Sequence, residues 1–284
     1  MSSAVAVETR HERRGFLAAA WAFVKHHILT LYSILFFAYL LIPIAVVIVF
    51  SFNHPSGKFN YVWQGFTWDN WRYWNGVPGI ESAIILSLEI ALIASVVATG
   101  LGTLIALALV RYGFRGRATT NILIFLPLST PEIVLGASLL TLFLNLSFVT
   151  FGFQTILIAH IMFCISFAVV TVKARLVGFD RHLEEAAMDL GANEWTTFTK
   201  VTLPLIAPAV LAALLLCFAI SIDDFVVTYF NSGSSVTFPL FVWGAARIGA
   251  PPQVNVIGTA IFVIALTAML ANVLVQMRRQ RAAA

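Results

Sequence analysis

Six apolar runs, near the ~20 residues an α-helix needs to cross a bilayer, constrain this chain more than any other feature. They cover residues 28–50, 83–110, 122–146, 154–172, 205–230 and 256–277. In lipid every backbone polar group must find its partner within the protein, which leaves helices or closed barrels. None of these runs alternates apolar and polar residues as a barrel strand does. The expected fold class is therefore an all-α membrane protein with six transmembrane helices. Sixty per cent hydrophobic residues, 11% charged residues and a mean hydropathy of +0.92 exclude an ordinary soluble domain.

Charge placement predicts the orientation. With the N-terminus in the cytoplasm, the inner segments carry Arg10, Arg13, Arg14, Lys25, Arg111, Arg115, Arg117, Lys173, Arg175, Arg181, Lys200, Arg278, Arg279 and Arg281. The outer segments carry Lys58, Arg72 and Arg247, so fourteen of the seventeen cations lie inside. Both termini are then cytoplasmic. This asymmetry also accounts for the basic pI, with no reason to invoke nucleic acid as a partner; membrane lipid is the expected surround.

The expected organisation has an N-terminal arm over 1–27, a first span over 28–52, a core of five spans over 81–277 and a tail over 278–284. Residues 15–24 are too short to span and are expected to lie along the interface, with the first helix acting as a signal anchor. In the second span Ser87, Ala91, Ala94, Ala98, Gly102 and Ala106 recur at helical spacing, a small-residue stripe that lets helices approach closely. Pro127 and Pro131 must kink or break the third span. Residues 51–80 concentrate Phe52, Phe59, Tyr61, Trp63, Phe66, Trp68, Trp71, Tyr73 and Trp74. That is either an interfacial aromatic belt or a platform for an external partner. Residues 231–255, with Gly233, Pro239, Pro251 and Pro252, read as a structured loop.

One long polar segment, 173–204, interrupts the apolar pattern. Within it, residues 185–204 read EAAMDLGANEWTTFTKVTLP. Glu184 to Leu190 are good helix formers, and Asp180 sits where an N-cap would satisfy open amides. Ala186 and Ala187 make one helical face thin, while Glu184, Glu185 and Asp189 make the remainder acidic. Gly191 can adopt the left-handed conformation that ends a helix. Pro204 and Pro208 are placed to open the next span, since proline is tolerated in a first turn. Taken alone, Glu-Ala-Ala is compatible with a plain solvated helix between spans.

Chemistry within the membrane falls to four acids. Glu89, Glu132, Asp223 and Asp224 lie in or near spans with no adjacent Lys or Arg. A carboxylate at mid-bilayer costs about 2.5–3.5 kcal/mol on insertion scales, so it faces a cavity or a partner. Four such acids suggest a path that attracts cations, with Phe225 and Tyr229 in helical register beside the aspartates. Adjacent residues of a helix point about 100° apart, so only one of Asp223 and Asp224 can face the path fully. The competing explanation, that these acids cap helices or sit at the surface, applies best to Glu89. Cys164 and Cys217 fall in apolar runs without metal-ligand or redox spacing and read as small hydrophobes. There is no phosphate-binding glycine loop, so the chain is expected to hydrolyse no ATP, and no catalytic, cofactor-binding or metal-ligating residues are assigned.

Glu-Ala-Ala, three residues, Gly191, nine residues and Val201-Thr202-Leu203-Pro204 together resemble the cytoplasmic signature of permease subunits of ATP-binding-cassette importers. Six further strings sharpen the resemblance to the spermidine/putrescine-type branch: Ser51-Phe52-Asn53, residues 63–66 (WQGF), Arg111-Tyr112-x-Phe114-Arg115-Gly116, residues 131–134 (PEIV), Ala174-Arg175-Leu176 and residues 221–225 (SIDDF). The likeness runs from about Leu41 to Gln276.

The resemblance implies a type I importer bundle in a prokaryotic inner membrane. Glu184, Glu185, Ala186, Ala187, Asp189, Leu190, Gly191, Leu203 and Pro204 would dock on an ATPase dimer that binds ATP and Mg. The path would be shared with a second, related permease and fed by an extracytoplasmic solute-binding protein. Glu132, Asp223 and Asp224, with Phe225 and Tyr229, would lie on the substrate path. Rival readings are the same machine for an opine, an amino-acid derivative or ferric ion, and an ion-driven secondary transporter, which needs no ATPase dock.

Overall fold

The computed structural model describes residues 2–57, 59–146 and 148–283; Lys58, counted above with the outer cations, lies outside them. The side chains of Arg10, Arg13, Arg14, Arg278, Arg279 and Arg281 likewise lie outside what is described. In order, the helices are α1 Ser2–Phe50, α2 Asp69–Arg72, α3 Ile80–Arg111, α4 Arg117–Ser129, α5 Glu132–Leu144 and α6 Phe153–Val177. There follow α7 His182–Asp189, α8 Glu194–Thr197, α9 Leu203–Asp223, α10 Val226–Asn231, α11 Phe238–Ile248 and α12 Pro252–Ala283. A π-helical turn, Phe198–Thr202, joins α8 to α9. Among the described residues the only β pairing is an isolated bridge between Asn53 and Phe66.

Among the described residues five segments are long and apolar enough to cross a membrane: His27–Phe50, Ile80–Arg111, Phe153–Val177, Glu194–Asp223 and Pro252–Ala271. The pair α4 and α5 makes a sixth when taken as one span, but it is bent by 110°. The third apolar run is thus two helices and not a kinked one. Pro131 lacks an N–H and disfavours helix at Thr130, which is extended at ψ 131°. Ser129 Oγ and Thr130 Oγ1 donate to the Phe125 and Leu126 carbonyls at 3.0 and 2.7 Å, occupying acceptors at the end of α4.

The chain forms two compact units, Met1–Gly76 with Gly249–Ala284, and Val77–Ile248. The first holds α1, α2 and α12, with α12 packed on α1 and α2. The last helix therefore groups with the first, whereas the sequence pattern grouped it with the core. Helix α1 runs unbroken from Ser2, with Pro43 inside it, so residues 15–24 form no separate interfacial element.

After α1 the chain folds on three buried asparagines. Asn53 Nδ2 donates to Asn60 Oδ1 at 2.6 Å and to the Val62 carbonyl at 2.8 Å. Asn70 Nδ2 donates to the Ser51 and Asn53 carbonyls, and Asn60 Nδ2 to that of Phe50. Phe52 stacks on Phe66 and Trp71 and meets Trp68 edge-on. Part of the aromatic segment is thus a cluster of rings over the buried asparagines, with Phe52 and Trp71 half-buried and Tyr61, Phe66 and Trp68 exposed.

In the second unit α3, α6 and α9 pack together, with Ala98, Ala106, Val169, Val172, Ile206 and Ala213 among their buried contacts. The small-residue stripe of α3 is the reason they approach so closely. Ser87, Ala91, Ala94, Ala98 and Ala106 are all buried, and a Cβ on Gly102 would lie 2.6 Å from that of Ala168. Cys164 and Cys217 are free, buried thiols that donate to each other's carbonyls across α6 and α9, at 3.6 and 3.4 Å. Helix α5 lies against α10, where a Cβ on Gly136 would meet the Phe230 ring at 2.8 Å.

Two boundaries differ from the sequence pattern. Residues 238–248 are helical where a loop was expected. Pro239 occupies the second position of α11, a first-turn site that needs no amide donor, and Phe238 N–H finds Ser87 Oγ at 2.8 Å. The fifth apolar run, expected to be one helix from 205 to 230, is helical from Glu194 and ends at Asp223, with α10 starting afresh at Val226. Pro204 and Pro208 therefore lie within a continuous helical run. The wide turn at Phe198–Thr202 precedes them, Pro204 falls in the first turn of α9 where no amide donor is needed, and Pro208 lies inside the helix.

Candidate functional site

Two helix breaks in the second unit meet at one cleft. The α4–α5 break contributes Pro127, Thr130 and Glu132, and the α9–α10 break contributes Asp223, Asp224 and Phe225, around a cavity of about 570 Å³. Glu132 is the first residue of α5, so the bend delivers its carboxylate to the cleft from a helix start, where negative charge is favoured. Asp223 is the last residue of α9. Both are exposed, and neither pairs with a cation among the described residues.

Asp224 has a different environment. It is the C-cap of α9 with extended ψ of 120°, so the 100° helical offset expected between the two aspartates does not apply. Its side chain is 6% exposed, 3.3 Å from His160 Nε2, and it accepts from Thr228 N and Thr228 Oγ1 at 2.8 Å each. All three acids border the cleft, but Asp224 is nearly buried and engaged by His160 and Thr228, so Glu132 and Asp223 are its exposed carboxylates. Phe225 and Tyr229 remain one turn apart, with ring centroids 5.6 Å apart, and Phe225 also meets Trp243 of α11 at 5.1 Å. Trp243 carries Arg247 on its face at 4.5 Å. Glu89 lies on the exposed side of α3, away from this cluster of residues.

His160, Ser221 and Thr228 were not singled out by the sequence pattern. A signal existed: His160 is a polar, titratable residue inside an apolar run, and such residues are functional candidates by default.

A second cavity, of about 620 Å³, lies between α3 and the polar segment and is lined by Leu104, Leu107, Arg111, Glu184, Met188 and Trp195, among others. Glu184 is committed inward. It meets Arg111 Nη2 at 2.5 Å and accepts a short bond from Thr202 Oγ1, which ties α7 to α3 and to the turn before α9. Arg111 also lies over the Phe179 ring at 5.0 Å. Asp180 is one residue outside the assigned cap, Arg181, yet its Oδ1 accepts from His182 N at 3.0 Å.

The outward face of α7 is presented to solvent: Glu185, Ala186, Asp189 and Leu190 are exposed, Leu190 at 90%, and Ala187 is half-buried. Gly191 has φ +89°, and the N–H groups of Gly191 and Ala192 return to the Met188 and Ala187 carbonyls, closing the helix as its sequence implied. Leu203 and Pro204 open α9 and are exposed. Among the described residues there is no group of three or more His, Cys, Asp or Glu that could hold a metal.

Residues 98–281 match the family described as binding-protein-dependent transport system inner membrane component. The chain belongs to this family. As such a component it is a permease subunit and not an enzyme, and it is a multi-pass protein of the inner membrane. This permease is 41% identical over 240 residues to the spermidine/putrescine transport system permease protein PotC of Escherichia coli, covering 84% of this chain and 90% of that one. It is 39% identical over 236 residues to the putrescine transport system permease protein PotI of the same organism, covering 79% and 82%. Among solved structures, it superposes on a chain of a bacterial transporter involved in the import of the polysaccharide alginate with a TM-score of 0.62. That match has 18% identity and covers 90% and 98% of the two chains. At that identity the match bears on the fold, which is that of an importer permease.

Proposed function

We propose that this permease conducts linear polyamines, of the spermidine and putrescine class, inward through a path shared with a second, related permease and driven by an ATPase dimer. The observation that carries the reading is the two exposed carboxylates, Glu132 and Asp223, brought to one cleft by two separate helix breaks. A polyamine carries separated ammonium charges, and removing their water is costly unless anions or aromatic faces replace it. Glu132 and Asp223 supply anions, and Phe225 and Tyr229 supply faces. The names of the relatives agree with this substrate class.

The N-terminus, the segment 173–204 and the C-terminus face the cytoplasm in this reading, because fourteen of the seventeen cations then lie inside. The exposed face of α7, with Glu185, Ala186, Ala187, Asp189, Leu190 and Gly191, docks on the ATPase, and Leu203 and Pro204 border it. When ATP draws the ATPases together, α7 moves with them. The Arg111–Glu184–Thr202 link passes that motion to α3 and α9, whose far end carries Asp223. A solute-binding protein delivers the amine to the outer mouth.

The test is ATP hydrolysis by the reconstituted four-component complex, stimulated by binding protein loaded with spermidine, putrescine, an opine, an amino acid or ferric ion. Stimulation by the two amines alone supports the reading. Stimulation by another solute with none by the amines replaces the substrate and keeps the machine.

A further inference from the structure

Two adjacent aspartates occupy the α9–α10 break, and the fold treats them oppositely. Asp223 is exposed in the cleft, whereas Asp224 is enclosed by a chain of hydrogen bonds drawn from three helices. Thr228 donates its one hydroxyl proton to Asp224 Oδ2 at 2.8 Å. The Thr228 oxygen is then left to accept from His160 Nε2–H at 2.9 Å, which assigns the tautomer. His160 Nδ1 in turn accepts from Ser221 Oγ–H at 2.7 Å. Asp224, one residue before the N-cap Phe225, also accepts from the backbone N–H of Thr228 at 2.8 Å, an open amide in the first turn of α10. His160, Ser221 and Thr228 are 2%, 4% and 0% exposed, so water does not compete for these bonds.

We propose that His160 is a positioning residue that fixes Asp224 inside the break, so that Asp223 is the only carboxylate this break presents to the substrate. The assignment rests on the polyamine reading above. Its consequence is selectivity. The cleft holds two available acids, Glu132 and Asp223, and the number of acids sets how many ammonium groups are balanced at once. Freed from these bonds at the wall of the cleft, Asp224 would add a third available charge and favour the amine with more ammonium groups. Without His160, Asp224 loses the partner at 3.3 Å and Thr228 loses the donor that orients its hydroxyl.

The experiment measures maximal uptake rates of spermidine and putrescine by the complete complex in proteoliposomes, with ATP hydrolysis and permease content recorded alongside. His160→Ala shifts the spermidine-to-putrescine ratio by about threefold, the scale of one added partly solvated charge contact. Thr228→Val shifts it in the same direction. His160→Gln, whose amide can donate from near the Nε2 position, keeps the ratio of the unaltered protein. Adding Asp224→Asn to His160→Ala returns the ratio towards that value, which a general packing defect would not do. If His160→Ala is absent from the membrane, Thr228→Val with and without Asp224→Asn decides. An unmoved ratio in well-inserted variants, or a shift that Asp224→Asn does not reverse, overturns the assignment alone. Failure of the unaltered complex to import either amine overturns the transport reading and this assignment with it.

Discussion

Arg111, the last residue of α3, and Glu184, in the first turn of α7, are 73 positions apart in the chain and meet at 2.5 Å. Their side chains are 14% and 17% exposed, so the pair is screened far less than a surface ion pair. Arg111→Ala leaves Glu184 with Thr202 as its remaining partner and removes a charge-assisted bond worth about 1.5–3 kcal/mol. The expected outcome is faster amide exchange over residues 182–191 and a fall in substrate-stimulated ATP hydrolysis, with membrane insertion unchanged. Exchange as slow as in the unaltered protein would show that α7 is held by other contacts.

Gly100 and Gly102 form an internally controlled pair on α3. A Cβ at Gly102 lies 2.6 Å from Ala168 Cβ and 3.1 Å from the Val169 nitrogen, whereas one at Gly100 meets nothing within 4 Å. Gly102→Ala forces α3 from α6, an overpacking cost of about 1–3 kcal/mol, and lowers the thermal midpoint of the detergent-purified protein. Gly100→Ala leaves it equal or slightly higher, because alanine is the better helix former. Equal midpoints for the two variants would contradict the close α3–α6 approach.

At Gly191 the constraint is conformational alone. With φ at +89° and open space around the Cβ position, Gly191→Ala carries about 1–2 kcal/mol of left-handed strain and no clash. It should fray the end of α7 and reduce stimulated ATP hydrolysis several-fold, with Gly191→Asn milder because asparagine tolerates that region. An alanine variant that couples normally would show that this turn opens in the assembled transporter.

The exposed Asp180–His182 pair gives a pH signature for the start of α7. The side-chain bond from His182, then its backbone N–H, draws the Asp180 carboxyl below its ordinary 3.8. The same side-chain bond, then the charges of Asp180 and Glu185, pushes His182 above 6.5. The raised histidine contributes fully below 6.5, and that contribution is lost as pH rises through its folded value. The lowered aspartate contributes fully above 3.8 and loses it as pH falls through its folded value. The pair is therefore strongest between 3.8 and 6.5. An NMR titration should place the His182 midpoint above 6.5, and Asp180→Asn should bring it down. No change in midpoint on that substitution would remove the pairing.

Hydropathy made the helices of this permease legible because length and apolarity are local properties of a chain. The breaks were less legible because their causes are tertiary. Pro131 announced an interruption, but the 110° turn also depends on α5 lying against α10 at Gly136 and Phe230, which no local pattern encodes. Apolar residues resume after the two aspartates and run through Phe230, so hydropathy alone does not mark the end of α9 at Asp223. The break is held by His160 reaching Asp224 from 64 positions earlier in the chain. Residues 238–248 read as a loop because Pro239 looks like a breaker, whereas it occupies the first turn of α11. Glu132, Asp223 and Asp224 converge on one cleft, but adjacent aspartates look alike in sequence, and only the His160 contact separates the buried one from the exposed one.

The central claim is that Glu132 and Asp223 act on the cationic substrate and not on the fold. The direct measurement is polyamine uptake beside basal ATP hydrolysis for Glu132→Gln, Asp223→Asn and the double variant in the reconstituted complex. Each neutral variant should lower uptake by about tenfold, the equivalent of 1.4 kcal/mol, with permease content and basal hydrolysis unchanged and the double variant lower still. Normal uptake by the double variant, or loss of uptake only because the protein is missing from the membrane, would make these carboxylates structural and contradict the polyamine path.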